Sequence, residues 1–552
     1  MTATLALALA QINPTVGDVA GNLAKIRAAR TQAAAAGATL VLLPELVVSG
    51  YPPEDLVLKP AFQAACRGAV EALAADTADG GPGLIVGTPW VENGNVYNAA
   101  CVLDGGRVQT VRYKHHLPNY GVFDEKRVFV AGPLPGPVAF RGVRLGLMIC
   151  EDMWFADVAE CLVESGAEIL VVPNGSPFET DKRDQRLQLA LARMAETGLP
   201  LVYVNQVGGQ DELVFDGSSF AINVDRSLAV QLEPFANDMA VSQWTRDAKG
   251  GLVCAGGRVA TPLEALAETY SALMLGLRDY VDKNRFKGVI LGLSGGIDSA
   301  LTAALAADAL GPARVHSVMM PSRFTSRDSL DDAAECAHLL GIRLDRIDIE
   351  PAVAAFGGML APQFEGTKPD ITEENIQSRC RGLTLMALSN KFGHMVVSTG
   401  NKSEMSAGYA TLYGDMCGGF AVLKDVWKTT VFELCRWRNA HVPASSLDPR
   451  TPVMPERVIT KPPTAELREG QTDEASLGPY AQLDAILREL VEQERTVEEI
   501  VAKGFAEAEV RRIWRMLDLS EYKRRQAPPG VKITSRSFGR ERRYPITNGF
   551  RG

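Results

Sequence analysis

The segment LSGGIDS at 293–299 carries the densest chemistry in the chain. It follows the apolar run GVILG and opens an alanine-rich helical pattern. That is the setting in which backbone N–H groups and a helix dipole hold a phosphate. Gly292, Gly295 and Gly296 let the chain turn and approach an anion closely, and Ser294 and Ser299 add hydroxyl donors. The GK[ST] ending of a Walker loop is missing. Asp298 is the odd member, because a carboxylate repels a bare phosphate. Two readings stay open: it caps the helix, or it holds a divalent cation, Mg2+, that bridges to phosphate oxygens.

Three other residues lie just past the ends of β-type runs. Glu45 ends ATLVLLPE, Lys114 ends VQTVRYK and Cys150 ends VRLGLMIC. Singly, each is an ordinary packing or solvated residue. One parallel or mixed sheet would bring all three to a common edge, and together they make an acyl-transfer site. Glu45 would take the thiol proton, Cys150 would attack a carbonyl and Lys114 would stabilise the oxyanion, with the N–H of Glu151 as a second donor.

The elements that must position these groups divide the chain in two. Before residue 245, strand-like runs at 38–46, 83–89, 143–150, 168–174 and 199–206 are interspersed with helical patterns, which predicts an α/β layered domain. The glycine-rich stretch 246–262 reads as a linker between a first domain at 1–245 and a second α/β domain at 263–552. The tail beyond Pro528 is basic and loop-like, and by default solvated or in contact with another copy.

Composition removes several functions. A net charge of −9 argues against nucleic acid and anionic membranes as partners. No run is long enough to span a bilayer, and the opening stretch lacks the basic region of a signal peptide. The 9 cysteines form no CxxC pair and no disulfide-like framework, so a reducing, cytoplasmic setting is expected. The pair His115–His116 has no ligand-spaced partner in the sequence, so no zinc site is expected.

The LSGGIDS loop resembles the SGGxDS pyrophosphate loop of the ATP pyrophosphatases, with Gly292, Leu293, Ser294, Gly295, Gly296, Ile297, Asp298 and Ser299 as its ATP-binding residues. The segments LPELVVSGYPPEDL, YKHHLPNYGVFDEKRVF and ICEDMWF resemble the nitrilase superfamily, whose Glu-Lys-Cys triad occurs in this chain order. ITEENIQSRCRG, VVSTGNKSE, YATLYGD and YKRRQAPPG resemble NAD synthetases, and the whole pattern is similar to the glutamine-dependent members of that family.

The resemblance implies a nitrilase-like αββα sandwich followed by a Rossmann-like parallel-sheet ATP pyrophosphatase domain of the adenine nucleotide alpha hydrolase-like kind. It adds Glu125 to the catalytic set and makes Tyr120, Ser176 and Lys182 glutamine contacts. Thr399 becomes an ATP contact; Asn375, Glu404, Tyr409 and Lys523 become deamido-NAD contacts, with Arg379 and Asp415 as further candidates. Lys428 could reach a phosphate, and Asp298 and Glu404 would ligate Mg2+. The implied activity is ATP-dependent amidation of deamido-NAD with ammonia from glutamine, carried through a tunnel, in a cytoplasmic homo-oligomer. The alternative is a nitrilase-type amidase whose C-terminal half only senses nucleotide.

Overall fold

In the computed structural model, which describes residues 5–550, the chain forms two compact units, Met1–Leu263 and Glu264–Gly552. The first contains a seven-stranded sheet ordered 252–254, 238–246, 5–11, 40–42, 83–92, 95–104 and 107–113. A six-stranded sheet is ordered 228–231, 220–222, 201–205, 169–174, 143–147 and 138–140. Side chains alternate across each strand, so the central strands feed a core on each face. Leu5, Leu7 and Leu9 join Leu145, Leu147, Val171 and Val202 in a core between the sheets. Ala8 and Ala10 face the other way, into a core with Ile26 of helix Val19–Ala35 and with Phe62 and Val70 of helix Pro60–Asp76. On the second sheet, Leu170, Val172 and Tyr203 pack with Val158 of helix Ala156–Glu164 and Met194 of helix Lys182–Thr197. The result is the expected αββα sandwich.

The second unit is built on a five-stranded sheet ordered 343–346, 315–319, 289–292, 395–398 and 420–421. All its pairings are parallel. In chain order the strands run 3-2-1-4-5, so the direction of winding reverses between Val289–Gly292 and Met395–Ser398. Open α/β sheets bind ligands in that crevice, at the carboxyl ends of the strands.

Three stretches differ from the sequence reading or add to it. Residues 246–262, expected as a linker, fold into the first unit. Leu252–Cys254 is an edge strand paired with Asp238–Arg246, and Leu252, Cys254 and Ala260 are buried. The glycines hid a strand too short to show periodicity. The basic tail is loop-like but not solvated throughout: Val531, Ile533 and Phe538 are buried, and Ile533 and Thr534 donate their N–H groups to Asp425. Residues 456–524 form a run of helices whose apolar faces, including Leu483, Leu487, Ile500 and Ile513, enclose Met405 and Trp427.

Two candidate active sites

In the first unit, Glu45 and Lys114 follow strands Leu40–Leu42 and Arg107–Tyr113 of the seven-stranded sheet, whereas Cys150 follows Val143–Leu147 of the other. The expectation of one shared sheet edge is therefore corrected. The triad gathers at the end of a sandwich, where loops from two stacked sheets meet.

Glu45 and Lys114 are fully buried, and Glu125 and Cys150 nearly so. The Lys114 ammonium donates to Glu45 Oε1 at 2.7 Å and to Glu125 Oε1 at 2.9 Å. Asn98 donates to the same two carboxylates, at 2.7 and 3.4 Å. Gly175 N–H donates to Glu45 Oε2, and Tyr51 O–H to Glu125. A Cβ at Gly175 would sit 2.9 Å from the Tyr51 ring and 3.1 Å from Glu45, so the close approach needs glycine.

Burial opposes the charge on Lys114, but Glu125 and Glu45 outweigh it and hold the ammonium well above its usual range. Burial, and then the charge of Glu45, raises the Cys150 thiol well above its own. Cys150 therefore rests as a thiol and Lys114 as a cation. Glu125 is pushed up to about 7, chiefly by burial.

Cys150 has φ of 47°, in the left-handed region that side chains other than glycine seldom adopt. Such strain persists when the surroundings over-determine it, and Asp152 supplies the restraint. Its buried carboxylate accepts the N–H of Ile149 on one side and the N–H groups of His115 and His116 on the other. One side chain thus ties the nucleophile turn to the segment after Lys114. Neither Asn98 nor Asp152 was singled out from sequence; both lie within quoted or strand-like segments without a spacing that marks them.

Of the expected glutamine contacts, Tyr120 donates to Glu151, at 3.0 Å. Lys182 lies 5.7 Å from the Phe123 ring and acts electrostatically on Glu151. The side chain of Glu151, of which only the N–H was considered from sequence, is thus central to this cluster. Ser176 is held by Asn205 and by buried Arg186, itself paired to Asp216 at 2.7 Å.

In the second unit the glycine turn lies at the crevice between the first and fourth strands of the sheet. Gly295 has φ of 78°, and a Cβ there would meet the Ser329 carbonyl oxygen at 2.2 Å. Ser294 and Ser299 hydroxyls lie 3.1 Å apart across the turn. Asp298 does not cap the helix Ile297–Leu310; Gly296 occupies that position without a side-chain bond. Instead Asp298 accepts from Asn401 at 2.9 Å and forms an ion pair with Lys428, whose ammonium is also 3.5 Å from Glu404. Burial, then the charge of Asp298, pushes Glu404 up to about 8.

Residues of the turn, Thr399, Glu404, Tyr409, Asp415 and Lys428 line a cavity of about 270 Å³. Arg381, Lys461 and Asp473, none of them singled out from sequence, line it too. Asn375 and Lys523 converge on one loop behind it. Asn375 accepts from Thr411, and Lys523 donates to the carbonyls of Gly408 and Ala410. Arg379 donates to Leu412 on the same loop, and Asp415 accepts from Thr411 N–H.

The carbon-nitrogen hydrolase family model matches residues 6–248, and the NAD synthase model matches 269–527. A glutamine-dependent NAD(+) synthetase of Rhodobacter capsulatus is 52% identical over 551 residues, covering 100% of both chains. The chain belongs to the glutamine-dependent NAD(+) synthetases. The Xanthomonas campestris member is 47% identical, over 100% of this chain and 98% of that one. A solved member from Acinetobacter baumannii, in complex with adenosine diphosphate, is 45% identical with a TM-score of 0.79, over 99% of each chain.

Proposed function

We propose that the chain converts deamido-NAD to NAD in an ATP-dependent amidation whose nitrogen comes from glutamine, releasing glutamate, AMP and pyrophosphate. The observation that carries the mechanism is the buried Glu45–Lys114 pair beside Cys150, in a chain whose other unit sets a glycine turn against two carboxylates.

At the first site Glu45 takes the Cys150 proton as sulfur attacks the glutamine amide carbon. Lys114 and the Glu151 N–H stabilise the oxyanion. Collapse expels ammonia, with Glu45 returning the proton, and leaves a γ-glutamyl thioester. Glu45 then activates the water that hydrolyses it. Tyr120, Ser176 and Lys182 hold glutamine, assisted by the Glu151 carboxylate, whose charge suits an α-ammonium group.

At the second site the turn from Gly292 to Ser299, with Thr399, holds ATP, while Glu404, Tyr409, Asn375 and Lys523 set the deamido-NAD pocket. The nicotinate carboxylate attacks the α-phosphorus, pyrophosphate departs, and ammonia displaces AMP from the mixed anhydride. Adenylylation is needed because a carboxylate oxygen leaves poorly. Asp298 and Glu404 fit Mg2+: they are hard oxygen donors that converge on one cation, Lys428, and burial near Asp298 already disfavours a charged Glu404. When bound, Mg2+ would offset the charge that builds on the phosphates.

The enzyme works in the cytoplasm on small molecules, with no nucleic-acid or membrane partner, as a homo-oligomer. No helix among the described residues is long and apolar enough to cross a membrane. Helix Glu350–Leu360 buries none of its residues and leaves Phe356 and Met359 exposed; it packs on helix Ile371–Phe392, which itself leaves Leu383 and Met386 exposed. A second copy would cover such a face.

The test is Cys150→Ala. NAD synthesis from glutamine should fall by at least about a thousandfold, whereas synthesis from ammonium should survive. Loss of both activities in a folded variant would refute separate roles for the two sites.

A further inference from the structure

Lys114 is followed by two histidines that the glutaminase chemistry leaves unused, and the fold gives them a third partner from a distant segment. His115 and His116 follow strand Arg107–Tyr113, whereas Asp157 lies in the first turn of helix Ala156–Glu164. His116 Nε2 is 2.8 and 3.1 Å from the two Asp157 oxygens, and His115 Nε2 is 3.9 Å from one of them. One ligand atom from each residue lies within 4.8 Å of the other two. Tetrahedral zinc places ligand atoms roughly 3.4 Å apart, given bonds of about 2.0–2.1 Å. Small side-chain rotations would bring the three into register.

The surroundings prepare this cluster. His115 Nδ1 lies 2.7 Å from the Gly132 carbonyl oxygen, which can only accept. The proton is therefore on Nδ1, and the Nε2 lone pair is turned toward Asp157, as in metal-bound histidines. Both backbone N–H groups of the pair donate to Asp152, the His115 ring is held by Gly132 and the His116 ring lies against Phe155 at 4.1 Å, so both rings are oriented without an ion. The Asp157 side chain is 48% exposed, which leaves room for a fourth ligand from water. The third residue of the cluster sits 41 residues beyond His116, a separation that local ligand spacing does not reveal.

We propose that His115, His116 and Asp157 bind a transition-metal ion, Zn2+ by its ligand preference, which ties the segment after Lys114 to the helix after Cys150. Two imidazoles and one carboxylate suit zinc; Mg2+ and Ca2+ prefer all-oxygen sets. The site is separate from Asp298 and Glu404, and the proposal does not depend on the reaction assigned to the chain.

The test uses the full chain carrying Cys150→Ala, so that the thiol cannot compete, with Mg2+ present to occupy oxygen-rich sites. Zn2+ is titrated against a chromophoric chelator, and Co2+ is followed by its visible absorption. One equivalent per chain is expected, with affinity weakened at least about tenfold by adding His116→Ala or Asp157→Asn. Far-UV circular dichroism and ammonium-dependent NAD synthesis check that each variant is folded. No stoichiometric binding in the parent protein, or equal binding in the variants, would overturn the proposal.

Discussion

Lys114 shows why single residues in the glutaminase site cannot be judged alone. Buried ions survive when paired, and this ammonium answers two carboxylates, Glu45 and Glu125. With only one positive charge for two acids, the site favours a proton on Glu125, which is raised from 4.5 to about 7 by burial and then by Glu45, against the pull of Lys114. The stability this proton contributes is fully present below about pH 4.5 and is lost as pH rises through about 7. Stability to urea, followed by far-UV circular dichroism, should fall across that window more in the parent protein than in Glu125→Gln, and identical pH profiles would contradict the assignment. Glu45, Lys114 and Cys150 were legible in the sequence because each ends a β-type run and their segments together resemble one family's motifs. Asn98 was not, since it is one polar residue inside the alternation of strand Asn95–Asp104. Its bonds to both carboxylates exist only once the strands pair.

Elements hold the nucleophile as much as residues do. The left-handed Cys150 depends on Asp152, which bridges loops from two different sheets. Asp152→Ala leaves three backbone N–H groups without this acceptor, at about 1–3 kcal/mol for each that stays buried and unpaired. Glutamine hydrolysis should then melt out at least several degrees earlier, with ammonium-dependent synthesis unchanged at low temperature. An unchanged melting profile would remove Asp152 from this role. Strand signals marked runs that enter both sheets, at 38–46, 83–89, 143–150, 168–174 and 199–206, whereas the two-sheet arrangement came from the family resemblance alone. They failed at Leu252–Cys254, which is only three residues long and flanked by glycines. Most of the helices between 456 and 519 carry no motif legible in the sequence; they pack around Met405 and Trp427, and Asp473 among them also lines the second-site cavity.

For the whole molecule, the fold class and the reaction were legible because two independent motif sets, one per unit, agree on where nitrogen comes from and where it goes. A covering for the exposed helix at Glu350–Leu360 was not legible, because an apolar residue in sequence does not say what it packs against. Under the proposed homo-oligomer, Met359→Glu with Leu383→Glu should shift the protein to a smaller species in light scattering; an unchanged mass would rule this face out as a subunit contact. Ammonia is largely protonated in neutral water and ammonium cannot attack an adenylate, so nitrogen freed from glutamine serves the proposed reaction best when it is used before it mixes with bulk water. The most direct measurement supplies amide-15N glutamine together with excess unlabelled ammonium and reads the isotope in the carboxamide of the NAD formed. The account predicts that label predominates whatever the ammonium concentration. A label fraction that simply follows dilution into the bulk ammonium pool would contradict direct delivery from Cys150, and no label at all would contradict the use of glutamine itself.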